Sequence, residues 1–140
     1  MGKFKFDDME SIKRNRDLEK EGQPVFLAGD RVLIVRAASD ANPAWAAQSD
    51  DFNRELMALR DAGASRKRIR EFTARKMADL LVVDWRGVKS GGVELPFSAE
   101  ACFEFLCESD DAFDQVDGTA WNTKNYRIRR VEAAVNEAKN

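Results

Sequence analysis

Histidine is absent from the chain. With it go Ser-His and Cys-His nucleophilic pairs, histidine general bases and every histidine-ligated metal site. Cysteine occurs only as Cys102 and Cys107, too few for a disulfide framework or a four-cysteine zinc site. Their separation does not match a CxxC redox pair either, so both read as small core residues of a protein in a reducing compartment. No apolar run approaches the roughly 18 residues of a membrane span, and the opening Met1-Gly2-Lys3-Phe4-Lys5-Phe6-Asp7-Asp8 lacks the apolar stretch of a signal peptide. The expected location is therefore the cytoplasm. Gly2 follows Met1, but Phe6 stands where myristoylation would need serine or threonine. Charge of one sign is lacking too: 23 basic against 25 acidic residues leave a net charge of -2, far from the positive field of a typical nucleic-acid binder. Gly87, Gly91 and Gly92 fit neither a phosphate loop nor a dinucleotide fingerprint. The expectation from these absences is a non-enzymatic protein without cofactor, metal or membrane partner.

What is present suffices for one core. In 140 residues, 44% are hydrophobic, which suits a single domain spanning 1–140. The charged stretch Asp7 to Glu21 reads as one weakly amphipathic helix. Val25 to Ala28 and Arg31 to Arg36 flank Gly29-Asp30, the pattern of a β-hairpin. Asn42-Pro43 opens a helix, with Asn as cap and Pro in the first turn; Trp45, Phe52, Leu56 and Leu59 form its apolar stripe, which ends near Gly63. A second helix follows Ser65, its stripe Ile69, Phe72, Met77, Leu80 and Val83. The glycine-rich and proline-containing stretch from Arg86 to Pro96 must turn. Ser98 caps the next helix, in which Glu100, Glu104 and Glu108 mark the wet face against Ala101, Cys102, Phe105 and Leu106. Phe113, Val116 and Ala120, then Ile128, Val131 and Val135, continue helical spacing. The fold class is thus α+β, mainly α: an N-terminal β-hairpin followed by a small helical domain.

Charged clusters offer little chemistry. The pairs Asp7-Asp8, Asp50-Asp51 and Asp110-Asp111 lack the ordered spacing of a calcium loop, and two of them stand where helices begin and complement the helix dipole. The run Arg66-Lys67-Arg68-Ile69-Arg70 with Arg75-Lys76 suggests the alternative of a small DNA-binding regulator using a basic helix, 66–76. On a helical wheel, however, these cations spread around the solvent side and are interrupted by Glu71 and Asp79, whereas a groove-reading helix gathers its donors on one face. Nucleic acid is not the expected partner.

The block Leu81-Val82-Val83-Asp84-Trp85-Arg86-Gly87-Val88, followed by Gly91-Gly92-Val93-Glu94-Leu95-Pro96-Phe97-Ser98-Ala99-Glu100, resembles the tail assembly chaperones of long-tailed bacteriophages. The likeness extends over residues 25 to 127 in the order of parts: a hairpin, an Asn-Pro helix, an Asp-Trp segment, a glycine turn into Leu-Pro-Phe-Ser, a further helix, and Trp121-Asn122-Thr123-Lys124-Asn125-Tyr126-Arg127. It implies a binding protein that holds the tape measure protein, and tail tube subunits, until the tube polymerises, and that is absent from the finished virion. It assigns no catalytic residue. Trp45, Trp85, Trp121, Phe97 and Tyr126 are aromatics of the kind interfaces favour, with Trp45 and Trp85 the ones best suited to the core. The segments 1–24 and 128–140 lie outside the likeness, are charged, and are expected to be mobile. Where the likeness gives way to the latter segment, Tyr126, Arg127, Ile128, Arg129, Arg130 and Val131 combine an apolar stripe with a basic cluster and are the candidate contacts for a client or for self-association.

Overall fold

The computed structural model describes residues 2–127. It is 54% helical and 15% strand, the α+β, mainly α balance expected. The hairpin joins strand β1 (Gln23–Leu27) to β2 (Arg31–Val35). Leu27 pairs with Arg31, so the connecting loop has one residue more than Gly29-Asp30. Both of those take positive φ, 76° and 62°, a conformation open to glycine and tolerated by aspartate.

A third strand, β3 (Val82–Arg86), pairs antiparallel with β2, so the sheet order is β1-β2-β3. This corrects the helical assignment of Val83. The chain leaves the helix at Leu80, because Leu81-Val82-Val83 supplies apolar, β-branched residues to a ladder that β2 already offers. Ile34 lies opposite Asp84 and Val35 opposite Val82, which leaves Val83 as the extra residue of a bulge. A short hairpin follows, β4 (Lys89–Ser90) and β5 (Val93–Glu94), turned by Gly91 and Gly92 at φ 59° and 79°. Two adjacent positive φ values are what a two-residue hairpin turn demands.

Helix α1 (Arg16–Glu21) precedes the sheet, and α2 (Pro43–Asp61), α3 (Arg66–Leu80), α4 (Ala99–Glu108) and α5 (Asp110–Ala120) follow. The caps are those the sequence implies: Asn42 accepts from Trp45 N–H at 3.4 Å, Ser65 from Arg68 at 3.1 Å and Ser98 from Ala101 at 3.0 Å. Each satisfies a donor the first turn would otherwise leave open. One core unites sheet and helices, with Val25, Leu33, Val35 and Trp85 meeting Trp45, Phe52, Met77, Cys102, Leu106, Phe113 and Val116.

The stretch Asp7 to Glu21 is not one helix. It breaks into a 3-10 turn, Met9–Ile12, and α1, and Glu19 and Gln23 at its end are buried against the fold. Glu19 is fully buried. Its carboxylate accepts from Arg14, with Nε at 3.1 Å, and from Ser39 Oγ at 2.7 Å, while Arg14 and Arg16 also reach Asp40. Burial acts to raise the Glu19 pKa, but the hydrogen bonds from Arg14 and Ser39 hold it below the ordinary value of 4.5. A depressed folded-state pKa contributes stability that is present above the ordinary value and is lost as pH falls through the folded one. Thermal stability is therefore expected to drop on acidification below pH 4.5. Glu19→Gln should flatten that part of the profile and cost about 1–3 kcal/mol at neutral pH, discounted for the half-open Arg14. Melting curves against pH that coincide for the two proteins would contradict this.

Candidate functional site

Of the residues proposed from sequence as partner contacts, Tyr126 is corrected by the structure. It lies in a 3-10 turn, Thr123–Tyr126, fully buried, with its hydroxyl donating to the Val35 carbonyl at 2.9 Å. Burial raises its pKa above the ordinary tyrosine value, so the phenol stays a neutral donor. It fastens the end of α5 to the sheet and presents no surface to a partner. Arg127 is half-buried, and its Nε is enclosed without a hydrogen-bond partner among the described residues. Ile128, Arg129, Arg130 and Val131 lie outside the described residues.

The basic helix α3 spends much of its charge on neighbouring helices. Arg70 meets Asp114 at 3.1 Å and stacks over the Phe113 ring at 4.1 Å, which ties it to α5. Arg75 pairs with Glu100 at 3.0 Å and covers Phe103 at 3.9 Å, which ties it to α4. Lys76 reaches Glu55 of α2 at 3.4 Å. A guanidinium over a ring with a carboxylate at its rim is both packing and charge neutralisation. Arg66, Lys67 and Arg68 are exposed and form no ion pair among the described residues.

Between α3 and the corner where α4 turns into α5 lies a cleft of about 260 Å³. Ala74, Leu106 and Phe113 give it an apolar floor, Cys107 stands in its wall, and Lys67 and Glu71 stand one helical turn apart at its mouth. Sequence reading missed this site. Its α3 wall, Lys67, Arg70, Glu71 and Ala74, does fall on one helix face, but only the tertiary packing reveals what faces it. Cys107 is exposed, unlike the buried core residue expected, and burial raises the thiol pKa of Cys102 to about 12. Burial also raises the Cys107 thiol pKa, which disfavours the nucleophilic thiolate.

The other surface features are apolar. Trp121 is 40% exposed, stacks on Phe52 at 5.6 Å and meets Trp45 edge-on at 4.9 Å. Phe4 and Phe6 are 72% and 69% exposed, and Val93 stands out at the tip of the β4-β5 hairpin. Trp85, by contrast, is buried, donates through Nε1 to the Leu95 carbonyl at 2.8 Å, and packs edge-on against Phe97 and Phe105. Among the described residues no group of three or more His, Cys, Asp or Glu could hold a metal ion, and no helix is long and apolar enough to cross a membrane.

The sequence of this small α+β protein matches a family of prophage proteins. The family model, described as YdaY prophage protein, matches residues 38–137, more than two thirds of the chain. The chain belongs to the YdaY prophage protein family. The match takes in α2 to α5, β3 and the β4-β5 hairpin, and it continues into the segment 128–137, beyond the likeness read from sequence. It starts after β1 and β2, so the β1-β2 hairpin and the Arg14–Glu19 clasp lie outside it. No curated protein and no solved structure matches the chain.

Proposed function

We propose that this prophage protein is a non-enzymatic tail assembly chaperone of the host cytoplasm, which holds the tape measure protein, and with it tail tube subunits, during tube assembly and is absent from the mature virion. One observation carries the reading. The parts that define the likeness occur in a prophage-family chain as one connected structural unit: the Asp84-Trp85 strand, the Gly91-Gly92 hairpin, and Leu95-Pro96-Phe97-Ser98 leading into a capped helix. Trp85 locks the unit by its bond to Leu95.

The physical task suits such a protein. A long helical client exposes apolar surface before it is wrapped, and a charged domain with apolar contact points keeps that surface from aggregating. The C-terminal residues from Arg127 to Val131 are the contacts we propose, without Tyr126, whose side chain is buried. DNA binding by α3 is disfavoured, since Arg70, Arg75 and Lys76 are already matched with acids.

Co-expression with the tape measure protein of the same prophage is expected to yield a complex that co-purifies. Deleting residues 128–140 should abolish it while leaving the melting temperature unchanged. Failure of the full chain to retain the tape measure protein, together with a salt-dependent shift of DNA on a gel, would replace this function with the regulator.

A further inference from the structure

Asp110, Asp114, Asp117 and Trp121 stand four, three and four residues apart and so share one side of α5 and its C-cap. Arg70 meets the first two acids, at 3.4 and 3.1 Å. Asp117 instead accepts the Trp121 indole N–H at 2.6 Å and forms no ion pair among the described residues. We propose that the open face of Trp121, with the Asp117 carboxylate at its rim, is the docking site for an arginine side chain on a segment of a partner protein.

Three arrangements inside the fold show what completes such a pair. Arg70 lies 4.1 Å from the Phe113 centroid and pairs with Asp114. Arg75 lies 3.9 Å from Phe103 and pairs with Glu100, and Lys76 lies 5.6 Å from Phe72 and pairs with Glu55. Each of these cations is held by a ring and a carboxylate together. At Trp121 the ring and the carboxylate are in place, and among the described residues no cation lies over the ring. Tryptophan is the strongest of the aromatic platforms for a cation.

The ring also has a face to offer. Phe52 and Trp45 lie 5.6 and 4.9 Å from Trp121 but only 5.1 Å from each other. Rings on opposite faces would lie about twice as far from each other as from the ring between them, so both press on one side. The 40% exposure of Trp121 therefore belongs to the other face and the outer edge. Packing on one face and the bond to Asp117 hold the indole in place, so little side-chain freedom is lost when its open face is covered.

Charge and shape select the occupant. A carboxylate brought to this face would meet Asp117 with like charge. A guanidinium lies flat on a ring while its N–H groups reach a carboxylate beside it, which an ammonium does less well, and tryptophan and arginine are both enriched among residues that dominate interfaces. The site is indifferent to which protein supplies the arginine, so it stands or falls apart from the tape measure reading.

The probe is a short alanine-based helical peptide carrying arginine, titrated into the full chain and followed by NMR of the tryptophan indole N–H signals, with Trp121→Phe identifying the one that belongs to Trp121. That signal is expected to move saturably while the signal of buried Trp85 stays. Lysine in place of arginine should weaken binding about fivefold, and glutamine should abolish it. Asp117→Asn keeps an acceptor for the indole and removes the charge, so it should weaken the arginine peptide about fivefold at an unchanged melting temperature. A Trp121 signal that does not move, equal movement with the arginine and glutamine peptides, or equal affinity of Asp117→Asn and the parent would overturn the proposal. So would a gain in peptide affinity on deleting residues 128–140, which would assign the ring to this chain's own Arg129 or Arg130, or a fall in affinity as protein concentration rises, which would assign it to a second copy.

Discussion

Trp85→Ala is expected to cost about 3–5 kcal/mol and to lower the melting temperature by roughly 10–15 °C. The side chain is 5% exposed, and it sits on β3 with the core beneath it. Phe97 and Phe105 meet it edge-on at 5.3 and 5.7 Å, so truncation leaves both rings facing a void. The indole N–H also donates to the Leu95 carbonyl, which would be left without that donor just where the β4-β5 hairpin rejoins the chain. Trp85→Phe separates the two contributions. It retains much of the packing and removes the hydrogen bond, so its cost should be clearly smaller, about 1–3 kcal/mol. Thermal unfolding of the three proteins measures both. An unchanged melting temperature for Trp85→Ala would mean that the indole is not part of the core, and the connected unit argued for client binding would lose its fastening.

The features legible in the sequence are those decided by a few neighbouring residues. Asn42-Pro43, Ser65 and Ser98 announce helix starts because capping is local chemistry, and Gly91-Gly92 announces a turn because few other residues take two positive φ angles in succession. The Glu100, Glu104 and Glu108 face follows from helical spacing alone. What escaped was decided elsewhere in the chain. Val83 fits the stripe of α3, and only the presence of β2 alongside makes Val82–Arg86 a strand. The stripe is legible in part: Met77 is buried and Phe72 and Leu80 pack against the core as the spacing predicts, while Ala74 and Ala78, which complete the buried face of α3, are not picked out by it. Alanine carries little hydrophobic signal, yet it lets α4 approach closely. Glu19 looked like one more solvated charge because its partners, Arg14 and Ser39, lie on both sides of the hairpin.

The candidate site divides in the same way. Tyr126 beside Arg127, Arg129 and Arg130 reads as an exposed contact cluster, and nothing nearby in sequence hints at the Val35 carbonyl that takes the phenol. The cleft depends on three helices meeting at one corner, so its α3 wall is visible as a periodic face but its floor is not. The exposed Phe4 and Phe6, in contrast, stand in a stretch too charged to bury them, and that much could be read from the order of residues alone.

Asn42 is where a substitution that looks conservative is expected to do the most harm. The residue is fully buried. Its Oδ1 caps α2, and its Nδ2 donates to the carbonyls of Ala37 and Leu80 at 3.0 Å each. One side chain thus closes the start of α2, the end of α3 and the loop after β2. Aspartate is as good a cap as asparagine in isolation, so the helix start alone predicts no loss for Asn42→Asp. The two carbonyls reverse that expectation, because they would face a carboxylate oxygen in place of an amide donor. Each unsatisfied carbonyl costs about 1–3 kcal/mol, and the buried charge adds to it. Asn42→Asp should therefore lose about 3–5 kcal/mol at neutral pH, at least as much as Asn42→Ala. Burial and the facing carbonyls raise the folded-state pKa of the introduced carboxyl. A raised folded-state pKa means that the deficit is smallest below the ordinary aspartate value and grows as pH rises through the folded one. Part of the lost stability should consequently return on mild acidification, where the protonated acid can donate to one carbonyl, and no such recovery should occur in Asn42→Ala. Unfolding curves for both variants between pH 4 and 8 check this, and an Asn42→Asp protein as stable as the parent at pH 7 would show that the clamp on Ala37 and Leu80 does not hold these elements together.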